Sequence, residues 1–543
     1  MKNENMHFPT RQNSGIHDLE PKKGTLKSQE KEMTNFSMAN ESTVQLLSVR
    51  VGLDSPPFLM EMHEIEKLGD MFTKEILLKD KKPLTLEQLV DEIERLDGFS
   101  AINRKMFLVA EGGQFKIELP SFSLNARLVF TWQKSNSSPP DFLLSTVPST
   151  NKKDSLLQLI SWSESDNSFH FFERKANIWG WAGNSFTSLN PPTRGKGPFD
   201  SHINGGLVMK ELKFPWAHWH SQSNSIPREV FEHDSEFNSH VLFSKVDGAE
   251  HLENIVKTGI RRWTKSRINN DIKNSKTVNI LSYFRQILTP TSVNLVSTSI
   301  NFDNVEEKEI GLPSSFFFDI DVIEFAAFTI NPTLDIVPSD RITISGSLYK
   351  KVCDILNMEV KSNDGITSFE GDTHFCFLVP ERAFEDIEVC RQLVERKLLS
   401  PKMLLVLIML DFTNPVESLH RKKIMKYCPD EINTNEEYAL DKVIIKKIES
   451  SESNQDSPES ELIRYWTSPD LLGLVKSELD IFMRGIQEKV VDKNYLKNLV
   501  ILAEYRKSLF RKRKLNEFVS TISQLGTSNT PLTLTKIGKI VNL

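Results

Sequence analysis

The apolar positions of residues 84–97 follow a helical spacing: Leu86, Leu89, Val90, Ile93 and Leu96 share one face of a 3.6-residue repeat. Thr85 and Gln88 stand at capping-box spacing, in which each side chain bonds an otherwise orphaned N–H of the first turn. Gly98 supplies a left-handed terminator beyond it. The pattern then shifts toward period two. Residues 106–110 and 115–119 flank Gly112-Gly113 as the arms of a hairpin would, 128–132 reads as a strand, and 156–162 with 168–173 flank the polar stretch 163–167 as a second hairpin. The polar segment 135–153, with Pro139-Pro140, reads as a loop.

Farther along, 293–299, 316–320 and 375–379 read as strands. Residues 380–398 read as a helix with Phe384, Ile387, Val389, Leu393 and Val394 as its apolar positions. The dense apolar run 403–412 fits a buried strand or a buried helix, and its unbranched Leu and Met residues leave both open. Asn414-Pro415 has the cap-then-first-turn order of a helix start, with an end before Pro429. Residues 471–490 and 495–519 are helical in spacing.

The expected fold class is therefore α+β or mixed α/β, with a disordered N-terminal leader, a mixed β-rich middle and an α-helical C-terminal part. The divisions read from the pattern are a leader at 1–45, a small α+β part at 46–150 and a His- and Trp-rich region at 151–270. A mixed α/β core follows at 271–448, then an acidic linker at 449–461 and a helical part at 462–543. The leader is rich in Lys, Glu, Asn and Ser and has too little apolar surface to offset the entropy of ordering.

Composition narrows the classes. Of 543 residues 26% are charged and 39% hydrophobic, and the formal net charge is -6. A chain with that balance is a poor partner for nucleic acid. The longest apolar run, residues 403–410, is far short of the roughly 20 residues a helix needs to cross a bilayer, so no membrane insertion is expected. Cys353, Cys376, Cys390 and Cys428 form no CxxC knuckle and read as reduced, buried thiols. The expected location is the cytoplasm; the oligomeric state is not legible.

The chemistry is concentrated in one stretch. Seven of the 12 histidines lie between His170 and His251, and six of the 8 tryptophans between Trp162 and Trp263. His218 and His220 form an HxH pair, and on a strand positions i and i+2 face the same way. Two neutral imidazoles with His202 as a third ligand would suit zinc or non-haem iron; His240, His233 and Glu211 are alternative third ligands. Trp216 and Trp219 would line the pocket. The leading expectation is a metal-dependent enzyme, with a mononuclear iron oxidoreductase as one form of it, acting on a small-molecule substrate. The alternative is a non-catalytic binding or scaffold protein in which the same block is an aromatic core or a partner surface.

Three further features stand beside it. Arg194 and Lys196, set among Gly195 and Gly197, could hold an anion. Asp319 and Asp321, with Glu324, would share a face if 316–320 is a strand. Arg506, Lys507, Arg511, Lys512, Arg513 and Lys514 form a basic run read as a solvated helix face. There is no GxSxG elbow, HExxH, Walker A loop or GxGxxG.

Overall fold

A computed structural model describes residues 44–110, 126–135, 137–146, 156–208, 242, 245–273, 276–291, 293–296, 306–338, 341–357, 359–361, 368–370, 379–451, 454–511 and 531–543. The leader at 1–43 lies outside them. Residues 45–543 form one compact unit, and its class is mixed α+β, as the pattern predicts.

The main β element is an eight-stranded sheet. Its strands are β1 (Leu46–Ser48), β2 (Phe58–Leu59), β3 (Arg104–Ala110), β4 (Ala126–Trp132), β5 (Phe142–Thr146), β6 (Leu157–Ser163), β7 (Ser168–Lys175) and β8 (Ile178–Asn184). They lie in the order β2-β1-β8-β7-β6-β5-β4-β3. Neighbours are antiparallel except β1 and β8, which run parallel. The hairpin read at 156–173 is β6–β7. The second arm and the turn of the Gly112-Gly113 hairpin fall in 111–125, outside the described residues, and β3 pairs along its whole length with β4. Because β5 pairs with β6, one sheet runs continuously through the boundary read at residue 150.

Short helices α1 (Met62–Leu68), α2 (Met71–Glu75) and α3 (Leu86–Glu94) follow β2. The α3 cap is the one the sequence predicts: Gln88 N–H donates to Thr85 Oγ1 (3.3 Å) and Thr85 N–H to Gln88 Oε1 (3.2 Å). Phe72 of α2 meets Phe172 and Trp179 edge-on at 5.1 and 5.0 Å, so this group covers one face of the sheet. After β8 come α4 (Ser185–Leu189) and the long α5 (Ala249–Lys273). α5 lies on the other face, where Phe169 touches the Gly259 position. The alternation of β7 does the sorting: His170 and Phe172 face α2, while Phe169 and Phe171 face α5 and the 198–206 loop.

The rest is mainly helical, with five two-stranded ladders among the described residues, one of them pairing Val293–Val296 with Val379–Arg382; its helices are α6 (Leu281–Leu288), α7 (Ile320–Ile330), α8 (Gly346–Leu356), α9 (Phe384–Glu395), α10 (Pro401–Met409), α11 (Leu419–Ile424), α12 (Ala439–Glu449), α13 (Pro458–Trp466), α14 (Leu471–Gln487) and α15 (Lys493–Arg511). The ambiguous run 403–412 is mostly α10. It is buried on every side, which removes the one-face signal that would have separated helix from strand.

Two readings are corrected. Residues 316–320 are not a strand: Ser314–Phe316 make a 3-10 turn and Asp319 is the residue before α7. All three phenylalanines there are buried, so periodicity carried no information. The helix read from Asn414 starts instead at Ser418, whose Oγ accepts the Arg421 N–H at 3.1 Å. Asn414 cannot cap, because its side chain bonds Asp411 (2.8 Å) and Thr533. The Arg421 guanidinium also takes the Asn414 and Pro415 carbonyls, holding that stretch irregular. Among the described residues no helix is long and apolar enough to cross a membrane.

Candidate functional site

The His- and Trp-rich block divides sharply. Trp162, Trp179, Trp181 and Trp263 are buried in the two layers flanking the sheet. His218, His220, Trp216 and Trp219, with Glu211, His233 and His240, lie outside the described residues. His202 is described. It sits in the 198–206 loop, its Nδ1 2.8 Å from the Gly206 carbonyl and its ring 5.1 Å from that of Phe171. Among the described residues no three His, Cys, Asp or Glu side chains converge as a metal-holding group.

A histidine that spacing did not single out is the best-organised one. His170 of β7 is buried, with Nε2 3.0 Å from Asp166 Oδ2. Trp181 Nε1, which can only donate, lies 3.2 Å from His170 Nδ1. Nδ1 is therefore the acceptor and Nε2 carries the proton. Asp166 also accepts from Ser168 Oγ (2.9 Å) and Asn184 Nδ2 (3.1 Å). Burial alone would raise its carboxyl; the bonds from His170 and the serines outweigh that and hold it below the usual carboxylate range. A bulge between β7 and β8 makes this possible: pairing shifts between Phe171 and Phe172, so Trp181 comes round to His170. The constellation locks the β6–β7 turn to β8. No serine Oγ is bonded to the His170 ring among the described contacts, so it is not arranged as a nucleophilic triad.

A second polar cluster joins sheet to helices. Asn204 is buried in the 198–206 loop and serves three elements at once. Its carbonyl accepts from Trp263 Nε1 of α5 (2.7 Å), its Oδ1 from Gln286 Nε2 of α6 (3.2 Å), and its Nδ2 donates to Thr291 Oγ1 (2.6 Å). Thr291 donates in turn to both oxygens of Asp386 in α9, at 2.9 and 3.0 Å. Gln286 Oε1 accepts from Arg267 Nη2 (3.2 Å), and the Gln286 carbonyl from Arg382 Nη1 (3.0 Å). Gly205 allows the loop to close here. It has φ +73, and a Cβ would stand 2.4 Å from the Ser185 carbonyl.

Beside this network Arg194 follows α4 in a turn and is exposed. Partial burial, and next the charges of Arg267 and Arg285, push it below its ordinary range. Lys196 points elsewhere: its Nζ donates to the Pro192 carbonyl at 2.8 Å.

The remaining candidates are also redistributed. Asp319 is buried in an ion pair with Arg382, Nε to Oδ2 2.6 Å, and Asp321 lies in the first turn of α7. The shared strand face expected for the two does not exist, because on a helix positions i and i+2 diverge. Asp319, Glu381 and Arg382 border a recess of roughly water size. The basic run is not wholly a solvated face: Arg506 and Lys507 are buried. Arg506 donates to the carbonyls of Phe316 and Thr413, and Lys507 pairs with Glu504. Lys512, Arg513 and Lys514 lie outside the described residues. Cys353, Cys390 and Cys428 are buried and in no disulfide, and burial pushes the Cys390 thiol up to about 12. Such thiols are inert rather than nucleophilic.

Comparison with known protein families, with curated proteins and with solved structures finds no match for this chain.

Proposed function

We propose that this chain is a non-catalytic binding protein, in which the His- and Trp-rich block is chiefly an aromatic core that fixes the 198–206 loop against the helices. One observation carries the reading. Trp181 and Trp263 spend their indole N–H groups on His170 and on the Asn204 carbonyl, so they brace the fold rather than line an open pocket. The catalytic alternative is an iron or zinc enzyme with His202, His218 and His220 as ligands. A single feature favours it: His202 sets Nδ1 on a backbone carbonyl, as ligating imidazoles do. Elemental analysis of the full chain purified without a His tag decides between them. The binding reading expects no stoichiometric transition metal. One iron or zinc per chain, lost in the His218→Ala/His220→Ala variant with secondary structure retained, would overturn it.

A further inference from the structure

Arg382 is 3% exposed, and only part of its guanidinium is used. Nε donates to Asp319 Oδ2 at 2.6 Å, and Nη1 donates to the Gln286 carbonyl at 3.0 Å. Nη2 is buried and has no partner within the protein. A buried N–H of a charged group without an acceptor is costly. Arginine and carboxylate often meet through two parallel bonds, one from each nitrogen on the same edge of the fork. Here Asp319 takes the Nε bond alone. Nη2 is the second nitrogen of that edge, and the fork is planar and rigid, so its N–H runs beside the Nε–H toward the side where Asp319 lies.

Arg382 and Asp319 border one recess together with Glu381, Asp321, Ser315 and Val416. Its volume is about 10 Å³, room for the centre of a single water-sized species. Two other buried arginines hold its surroundings in place. Arg506 takes the carbonyls of Phe316 and, at 2.7 Å, Thr413, and Arg421 takes the Pro415 carbonyl at 2.8 Å. The segments on either side are thus pinned from behind, which keeps them from closing onto Nη2. Asp319 cannot turn away to cap α7, of which it is the preceding residue, because its carboxylate is committed to Arg382.

We propose that this recess binds one ordered water, which accepts from Arg382 Nη2 and donates to the carboxylates of Asp319 and Glu381. Chemistry separates water from the other species of that size. Chloride would accept from Nη2, but three carboxylates border the recess and repel it. A metal ion would stand against the Arg382 charge, and among the described residues no three acid, His or Cys side chains converge as a metal-holding group. Water alone both accepts from the guanidinium and donates to the acids, which gives it the two to four polar partners a buried water needs. It completes the fork through solvent and joins the strand Val379–Arg382 to the start of α7. The assignment goes beyond the binding-protein reading and does not depend on it.

Crystals of the full chain, at a resolution that shows ordered waters, test it first. A density peak is expected about 2.7–3.2 Å from Arg382 Nη2 and within the same reach of Asp319 and Glu381 oxygens. No peak there would overturn the proposal. Crystals grown in bromide separate water from an anion: the peak should carry no anomalous signal, and a bromide signal at Nη2 would overturn the assignment. Val416→Leu supplies a check in solution, because it adds a methylene to the wall of the recess. Oxygen-17 relaxation dispersion should count one fewer long-lived water per chain in that variant than in the parent. Equal counts in the two would place the water elsewhere and sink the proposal. Should the variant not fold, the parent and bromide crystals decide by themselves.

Discussion

Asp319 and Arg382 lie side by side with almost no contact with water. Burial disfavours the Arg382 charge, yet Asp319, and after it Cys390 and Asp386, hold it above its ordinary range. Such a pair adds little net stability over an apolar replacement, but leaving one partner alone strands a buried charge. Asp319→Ala should therefore cost about 3–5 kcal/mol in urea unfolding. Asp319→Ala with Arg382→Met should recover most of that loss; equal losses in the single and double variants would contradict the account. Residue roles of this kind were the least legible in the sequence. Asp319 was noticed for its neighbours Asp321 and Glu324, whereas its partner stands 63 positions away. Arg506 and Lys507 looked like part of a solvated run because charge density along a chain says nothing about which carbonyls will meet it. His170 went unremarked because its partners come from a turn and from a bulged neighbouring strand.

At the scale of elements, local signals were read well wherever they were self-contained. The capping box of α3 formed as its spacing predicts, because both halves lie within four residues. Ser400 before Pro401 and Ser457 before Pro458 cap α10 and α13 in the same local way. Asn414-Pro415 carries the same signature and fails, because Asp411, Thr533 and Arg421 compete for its groups. Glycine turns offer a controlled comparison. Gly195 has φ +67 with open space around it, while Gly205 has φ +73 with the Ser185 carbonyl in the way. Gly195→Ala should cost only the left-handed backbone penalty, about 1–2 kcal/mol. Gly205→Ala should cost clearly more, and should loosen Asn204 from its partners. Chemical denaturation of the two variants checks this, and equal losses would show that the close approach does not matter.

Over the whole molecule, the pH dependence of stability separates two carboxylates of opposite sign. Burial raises Asp441 to about 6, against the hydrogen bonds from Ser400. The folded chain then holds this proton more tightly than the unfolded one, so stability falls as pH rises from about 4 through 6. Burial would also raise Glu459, but Lys426 at 2.9 Å and the Tyr427 hydroxyl bring it to about 2. Its contribution is present above about 4.5 and is lost as pH falls toward 2. The windows hardly overlap. Asp441→Asn should match the parent near pH 4 and exceed it by up to about 3 kcal/mol at pH 7. Parallel stability profiles from pH 4 to 7 would rule this out. The mixed class, the β-rich middle and the helical end were legible in the pattern because each is a sum over many positions.

The parallel seat of β1 bears on how the chain comes to be folded. β1 ends at Ser48, yet it lies between β2 and β8, and β8 is completed only at Asn184. Antiparallel neighbours such as β6 and β7 can zip as soon as both are out; β1 must wait for more than a hundred further residues. Until then Leu46 and Leu47, fully or almost fully buried in the finished sheet, have only the two-residue β2 on one edge and nothing on the other. The earliest of the described strands in the chain is thus completed only when β8 arrives, and the wait exposes an apolar strand to whatever else it can pair with.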